Sequence, residues 1–154
     1  MGMPSNDELD RQSSAAALRA NRPRETFKHV LVVDDAGTLR TTMARMLSTQ
    51  GGYATCEAGT FLEALDLLDS VDAVATDGFY PYTTGEASAS WGLTLARLAR
   101  AYGKRVVLVS GHGALIQQAQ WEGIRTLEKP RGILELAAVL AEAEGSDADR
   151  HTPQ

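Results

Sequence analysis

The chain is poor in cysteine and lacks both a basic surface and a long apolar run. Cys56 is the only cysteine among 154 residues, so no internal disulfide can form, which fits a reducing compartment. The net charge of −5 argues against binding to nucleic acid or to an anionic membrane, because both need a basic surface. No apolar run approaches the length that crosses a bilayer, and residues 1–21 lack a signal-peptide core. These absences predict a cytoplasmic protein.

One folded domain between two polar tails is the organisation that the composition predicts. A chain of this length with 44% hydrophobic residues can bury one real core. Residues 1–26 are polar, rich in Ser and Ala and interrupted by Pro23, so we expect a mobile tail there. The folded domain is predicted over residues 27–144, and a disordered tail over residues 145–154.

Between the tails, the apolar pattern alternates between strand and helix five times. The predicted strands cover residues 28–33, 53–57, 71–76, 105–109 and 124–127, and the helices 37–49, from 60 onward, 91–101, 114–121 and 133–143. Thr60 and Glu63 predict a capping box at the start of the second helix. The first and fourth strands are continuously apolar, which is typical of a parallel sheet covered on both faces. The pattern predicts a doubly wound α/β domain with a five-stranded parallel sheet.

Polar side chains follow four of these strands, close to where each strand ends. Asp34 and Asp35 follow the first strand, Asp77 the third, Ser110 the fourth and Lys129 the fifth. The carboxyl ends of parallel strands line one crevice, where ligands bind. Three carboxylates, a hydroxyl and an ammonium in one crevice would make a site for a divalent cation and a phosphoryl group.

Each of these residue types suggests a separate role in that chemistry. The three carboxylates can supply the hard oxygens that Mg²⁺ prefers, and a cation would relieve their mutual repulsion. Asp77 is the best nucleophile candidate, since a carboxylate can attack phosphorus to form an aspartyl phosphate. Lys129 would pair with one phosphoryl oxygen, and Ser110 would hydrogen-bond to another. Taken singly, such residues more often cap helices or form turns, but five of them at matching strand ends indicate one site.

These motifs resemble the receiver domain of two-component response regulators, and most of all the stand-alone, CheY-like kind. The resemblance rests on residues 30–40, 76–81, 109–111 and 128–130, and covers about residues 28–143. It implies the strand order 2-1-3-4-5. It also implies that Asp77 accepts a phosphoryl group from a phosphohistidine on a histidine kinase or phosphotransfer protein, with Mg²⁺ as the cofactor.

Further expectations follow from the same resemblance. The Phe79 backbone carbonyl would be a metal ligand, and the Lys129–Pro130 peptide would be cis, as is common only before proline. Phe79 and His112 occupy positions where the family tunes attack by water, although His112 is also explained as an exposed loop histidine. The protein would be a phosphoacceptor and not an enzyme, with self-catalysed phosphotransfer and dephosphorylation left open. It would signal in trans to a downstream protein, as a monomer or weak dimer, with no nucleic-acid or membrane partner.

Two departures from the family pattern lie around the predicted fourth helix. The segment from Ser110 to Lys129 is short, so we expect this helix to be clipped or displaced. Thr126 stands where the family usually carries an aromatic residue whose rotamer reports phosphorylation. We expect Trp121 or another neighbour to fill the gap that the smaller side chain leaves, and signalling to take a different route.

A third departure is an insertion over residues 82–90, beside the phosphorylation site. One interpretation is a lid or a partner-binding surface. The other is a solvated insertion in which Ser88 or Ser90 caps the third helix.

Two other functions compete with a phosphorylated receiver. One is a pseudo-receiver, an interaction module that phosphorylation does not switch; Thr126 and the altered fourth helix favour it, and the five polar residues oppose it. The other is an aspartate-nucleophile phosphatase. That chemistry normally needs a second Asp two residues after the nucleophile, and Phe79 occupies this position.

Overall fold

A parallel sheet of five strands runs through the centre of the computed structural model, which describes residues 28–142. In chain order the elements are β1 (His29–Val33), α1 (Gly37–Gly51), β2 (Ala54–Ala58), α2 (Phe61–Leu68), β3 (Ala73–Thr76), β4 (Tyr80–Pro81), β5 (Ser88–Ala89), α3 (Trp91–Ala101), β6 (Arg105–Ser110), α4 (Gly113–Trp121), β7 (Arg125–Glu128), a 3₁₀ turn (Arg131–Glu135) and α5 (136–142). The predicted tails, 1–26 and 145–154, lie outside the described residues, so the predicted domain boundaries stay a prediction.

The order of the strands confirms the predicted topology. The sheet runs β2-β1-β3-β6-β7, and all four pairings are parallel. Counted along the chain without the short β4 and β5, this is the order 2-1-3-4-5. β1 and β3 are adjacent, with Val33 paired to Thr76, so the residues that follow them leave the sheet side by side.

Two hydrophobic cores lie on opposite faces of the sheet, because successive strand side chains point to opposite sides. On β1, Leu31 and Val33 pack with residues of α2 and α3, whereas Val30 and Val32 pack with residues of α1 and α5. All four side chains are fully buried. This double coverage explains why β1 reads as an uninterrupted apolar run.

Helix ends follow local signals in the sequence. Gly52 adopts the left-handed conformation (φ 70°) that glycine tolerates, and its N–H donates to the Ser48 carbonyl at the end of α1. At the start of α2, the Thr60 hydroxyl accepts the Glu63 N–H at 3.2 Å. Glu63 accepts the N–H of Gly59 at 2.8 Å, one residue earlier than the predicted capping box requires.

Two predicted segments are wrong in detail. Residues 131–135, predicted in part as the fifth helix, form a 3₁₀ turn, and α-helix begins at 136. Gly132 has low helix propensity, and a Cβ there would lie 2.9 Å from that of Leu127, so the chain makes a tight turn against β7. The predicted loop after β3 contains a small antiparallel hairpin, β4–β5. Within residues 28–142, every helix is too short or too polar to span a bilayer.

Candidate functional site

The sheet register places the predicted site residues at one edge. The Asp77 N–H donates to the Val33 carbonyl at 2.8 Å, and the Asp34 N–H donates to the Ala58 carbonyl at 3.1 Å. The Lys129 N–H donates to the Ser110 carbonyl at 3.0 Å. These bonds continue the parallel ladders one residue beyond the strands. The polar residues are therefore held by sheet backbone and not by free loops.

Three carboxylates form the acidic part of the site. Asp34, Asp35 and Asp77 each offer an oxygen, and these oxygens lie within 4.8 Å of one another. Asp34 is buried, Asp77 is partly buried and Asp35 is exposed. Asp34 Oδ1 also accepts the Ala36 N–H at 2.9 Å, which fixes this carboxylate. Clustered hard oxygens with an exposed side suit a divalent cation that keeps part of its water shell, as Mg²⁺ does. The further ligand expected from the Phe79 carbonyl stays a prediction.

Lys129 bridges two of these carboxylates. Its Nζ lies 2.9 Å from Asp34 Oδ2 and 3.1 Å from Asp77 Oδ1. The Lys129–Pro130 peptide is cis, as expected. Burial alone would lower the pKa of Lys129, but its hydrogen bond to Asp34 and the charges of Asp77 and Asp34 raise that pKa above its usual value. The side chain is therefore an ammonium at neutral pH.

Asp77 is electrostatically disfavoured as an anion. Burial and then the negative charge of Asp34 raise its pKa, while the charge and hydrogen bond of Lys129 lower it in part. The net shift is upward, so the folded protein stabilises the Asp77 carboxylate less well than water does. Added positive charge in this crevice would relieve the deficit.

Ser110 lies beside the residue that follows Asp77. Its buried hydroxyl accepts the His112 N–H at 3.1 Å. A Cβ placed on Gly78 would lie 3.0 Å from Ser110 Oγ and 2.2 Å from Leu115 Cδ2, so only glycine fits at Gly78 without displacing these side chains. The five predicted residues are thus gathered at one edge of the sheet, the three acids and Lys129 in a cluster and Ser110 next to it.

Phe79 and His112 lie close together at the same edge of the sheet. Their ring centroids are 4.3 Å apart, with the planes inclined by 53°. His112 is exposed, which agrees with the simpler explanation for this residue, but its ring packs on Phe79. The predicted effect of the two residues on attack by water stays a prediction.

Gly92 is a site residue that the sequence analysis missed. Its N–H donates to the Gly78 carbonyl at 3.1 Å. An added Cβ would lie 1.9 Å from the Asp77 carbonyl oxygen, so the first turn of α3 packs directly on the backbone of Asp77. The available signal was a glycine at the start of an otherwise favourable helix, since glycine weakens a helix and often marks close approach of backbone.

The side chain of Thr76 links a buried tyrosine to the backbone of Asp77. The Thr76 hydroxyl donates to the Asp77 carbonyl at 2.9 Å and also lies 2.9 Å from the Tyr80 hydroxyl. Because the Thr76 proton is engaged, Tyr80 is the donor in the second bond. Burial raises the pKa of Tyr80, so this donor stays protonated.

The face around α4 and β7 differs from what we expected. Thr126 accepts a hydrogen bond from Gln120 at 2.9 Å, and Trp121 is 87% exposed. Trp121 therefore does not fill a gap beside Thr126, and the neighbour that contacts Thr126 is Gln120. At nine residues α4 is short but starts close to the predicted position.

Residues 84–90 of the inserted segment are all exposed, as the second interpretation requires, but part of the segment forms the short strand β5. Ser88 Oγ donates to Asp35 Oδ2 at 3.2 Å. Ser90 is the residue before α3, but its side chain makes no capping hydrogen bond within the described part of the chain. Neither serine therefore caps α3 through its side chain.

No protein-family model and no curated protein matches the sequence. Among solved structures, the chain is 30% identical to the signal receiver domain of the response regulator NarL from Mycobacterium tuberculosis, covering 77% of this chain and 98% of that domain at a TM-score of 0.59. A signal receiver domain of an HD domain-containing protein from Pseudomonas fluorescens is 29% identical, with 82% and 94% covered and a TM-score of 0.61.

A third similar structure is a response regulator protein from Burkholderia pseudomallei, which contains a phosphorylated aspartic acid, a calcium ion and citrate. It is 26% identical, with 80% of this chain and 73% of that chain covered, at a TM-score of 0.59. The mycobacterial match spans nearly a whole receiver domain, and the sheet order of this chain is the one that the resemblance implied. The chain belongs to the response regulator receiver domain family.

Proposed function

We propose that Asp77 accepts a phosphoryl group from a histidine kinase or phosphotransfer protein, and that the receiver signals through altered protein binding. The supporting observation is the bridge from Lys129 Nζ to Asp34 and Asp77, at 2.9 and 3.1 Å, beside three clustered carboxylates. This arrangement offers a nucleophile, a fixed positive charge and ligands for a cation. The cytoplasmic location and the choice of Mg²⁺ are parts of the same proposal.

The transfer needs one bond to form and one to break. A carboxylate oxygen of Asp77 attacks phosphorus, the bond from phosphorus to the donor imidazole nitrogen breaks, and that nitrogen keeps the electron pair and takes a proton from solvent. The developing charge lies on the phosphoryl oxygens, and Lys129 is within reach of one of them. Little covalent chemistry is left to the protein beyond positioning and neutralising charge.

A divalent cation held by Asp34, Asp35 and Asp77 would neutralise charge on the incoming phosphoryl group. The raised pKa of Asp77 supports the need for such charge, because burial and the charge of Asp34 disfavour the ionised nucleophile. The calcium ion and phosphorylated aspartic acid in the Burkholderia protein also support this assignment.

Ser110 is placed to sense the product. Its hydroxyl lies next to Gly78, one residue from the phosphoacceptor, and within residues 28–142 it accepts one hydrogen bond, from the backbone N–H of His112. Its own proton is therefore available for a phosphoryl oxygen. Forming that bond would draw the loop after β6 toward Asp77 and shift a two-state equilibrium of the domain.

A small phosphodonor tests this proposal directly. Wild-type protein incubated with acetyl phosphate and Mg²⁺ is expected to gain one phosphoryl group by intact-protein mass spectrometry, and Asp77→Asn is expected to gain none. Asp66→Asn is a matched control, because Asp66 is exposed on α2, and it should be labelled like wild type. Profiling against the host's histidine kinases would then identify the natural donor.

Two results would contradict the proposal. If neither small donors nor any kinase labels the wild type, the chain is better described as a pseudo-receiver. If Asp77→Asn is labelled as strongly as wild type, another residue is the acceptor. Turnover of a generic phosphate ester would instead indicate a phosphatase.

A further inference from the structure

The inserted segment makes a side-chain contact with the acidic cluster. Ser88, on β5, donates to Asp35 Oδ2 at 3.2 Å across a separation of 53 residues. Asp35 is the exposed member of the three carboxylates, so it has fewer neighbours to fix its rotamer than Asp34 has. The position of Ser88 therefore bears on the position of Asp35.

Backbone pairing in the β4–β5 hairpin fixes the position of Ser88. Pro81 pairs with Ser88, and Tyr80 pairs with Ala89. Tyr80 is fully buried and its hydroxyl is bonded to Thr76, so β4 is anchored three residues after Asp77. The hairpin thus connects the backbone next to Asp77 with the side chain of Asp35.

Aromatic contacts fix the chain directly after β4, at Tyr82. Tyr82 lies 5.7 Å from Phe61 and 5.0 Å from Trp91 between ring centroids, and Phe61 and Trp91 lie 4.8 Å apart. We call these three residues the aromatic trio. The Tyr82 carbonyl also accepts the Leu62 N–H at 3.0 Å. Tyr82, directly after β4, is therefore packed onto α2 and α3, while the two residues of β5 are exposed.

We propose that Ser88 is a positioning residue that orients Asp35 for binding a divalent cation. A hydrogen bond to Oδ2 restricts rotation of the carboxylate and leaves Oδ1 free of this contact. Groups that hydrogen-bond to metal ligands fix the orientation of those ligands. Removing such a group typically weakens metal binding by about 10- to 100-fold. This inference rests on the proposed function, because it assigns Asp35 to the cation site.

Titration with Mg²⁺ followed by amide NMR tests the inference without any phosphotransfer. Wild type is expected to show saturable shifts around residues 34, 35 and 77, and Asp35→Asn should lose most of the affinity. Ser88→Ala is expected to bind Mg²⁺ about tenfold more weakly, at the low end of the usual range because Asp35 is exposed. Ser88→Thr keeps the hydroxyl and should bind within about threefold of wild type.

Ser90→Ala is the matched control. It removes the same hydroxyl two residues away on the same segment, from a side chain that makes no capping bond within residues 28–142. Its Mg²⁺ affinity should equal that of wild type, and the amide spectra without cation should show that all variants are folded.

The outcomes separate the two proposals. Wild-type affinity in Ser88→Ala, or equal weakening in Ser88→Ala and Ser90→Ala, would overturn the role of Ser88 while leaving the cation site intact. A wild type without Mg²⁺-dependent shifts at residues 34, 35 and 77 would overturn both.

Discussion

The segments on either side of β6 differ in how their aromatic side chains are buried. Residues 77–92, the β3–α3 segment, run from Asp77 through the hairpin to the start of α3. They contain a fully buried tyrosine, and two members of the aromatic trio. Residues 110–129, the α4–β7 segment, contain a tryptophan that is 87% exposed and a threonine bonded to a neighbouring glutamine. The first segment keeps its large aromatic side chains against the domain although its residues 84–90 are exposed, whereas the second leaves its tryptophan in solvent.

The contrast bears on how a change at Asp77 would spread. Coupling travels through packed elements with two discrete arrangements. The β3–α3 segment contacts the site through Ser88, Tyr80 and Gly92, whereas in the α4–β7 segment Thr126 replaces the aromatic residue that the family usually uses. We therefore expect mutations in the first segment to have larger effects on stability and phosphorylation than matched mutations in the second.

The largest difference is expected between two glycine substitutions. Gly92→Ala would place a Cβ 1.9 Å from the Asp77 carbonyl oxygen, and backbone must move to accept it. We expect a loss of about 3 kcal/mol in unfolding free energy, with slower labelling of Asp77. Urea denaturation and acetyl phosphate labelling measure the two effects.

Gly113→Ala is the counterpart in the α4–β7 segment. No atom of residues 28–142, beyond the helix itself and its chain neighbours, lies within 4 Å of the added Cβ, and alanine favours helix. Its stability should be unchanged or higher by about 0.5 kcal/mol. Equal losses in the two variants would contradict the contrast between the segments.

The next largest difference in stability is expected when one aromatic residue in each segment is truncated to alanine. Tyr82→Ala removes the central contacts of the aromatic trio, and we expect a loss of about 2 kcal/mol, less than for a fully buried ring because Tyr82 is only partly buried. Trp121→Ala should change stability by no more than about 0.5 kcal/mol, because its ring is mostly in solvent. Thermal unfolding of both variants checks the ratio, and a larger loss in Trp121→Ala would reverse the comparison.

Paired threonine substitutions sharpen the comparison for polar groups. Thr76→Val keeps the shape of the side chain but leaves the Asp77 carbonyl and the buried Tyr80 hydroxyl without this partner. We expect a loss of about 2 kcal/mol. Thr126→Val breaks only the bond from Gln120, whose side chain is exposed, and should cost about 0.5 kcal/mol.

Chemical denaturation at neutral pH measures both threonine variants. A cost in Thr126→Val as large as in Thr76→Val would show that the α4–β7 segment is packed as firmly as the other. In that case we would expect signalling from Asp77 to pass through Thr126.

The sequence was sufficient for the sheet and for gathering these polar residues at its edge. β1 and β6 are apolar runs because both of their faces are covered, and this pattern is visible without coordinates. Once the strands were placed, the ladder register brought Asp34 and Asp77 together at neighbouring strand ends, and the Lys129 side chain reaches both from the end of β7, which β6 separates from β3. The cluster follows from the predicted strand ends together with the strand order that the family resemblance implied.

The rest depends on contacts that leave no periodic signal. β4 and β5 are two residues each, too short for an alternating pattern, and the Ser88 to Asp35 bond joins residues far apart in the chain. The exposure of Trp121 depends on how α4 is placed against the sheet, since an apolar residue at helical spacing is ordinarily expected to pack. Gly92 matters through one backbone contact, which composition cannot show.

The smallest expected effects are opposite pH dependences of stability in the two segments. Burial, and then the charge of Asp34, raise the pKa of Asp77 above 3.8, so ionised Asp77 destabilises the folded protein. Asp77→Asn should therefore be more stable than wild type at pH 7 without divalent cations, by less than about 1 kcal/mol after solvent screening. The gain should appear as pH rises above 3.8 and vanish below it, where both states of wild type are protonated.

Glu122 in the α4–β7 segment should show the opposite sign. Hydrogen bonds from Arg97 and Gln118 lower its pKa from 4.5 to about 2, so its ionised form stabilises the folded protein. Glu122→Gln should lose about 0.5 kcal/mol at pH 7, since exposed ion pairs contribute little, and this loss should fade as pH falls from 4.5 toward 2. Urea denaturation in EDTA at several pH values measures both variants against wild type. Shifts of the same sign at pH 7 would contradict this comparison. They would mean that Lys129 stabilises the Asp77 carboxylate more than burial and Asp34 disfavour it. Asp77 would then stay ionised without a bound cation.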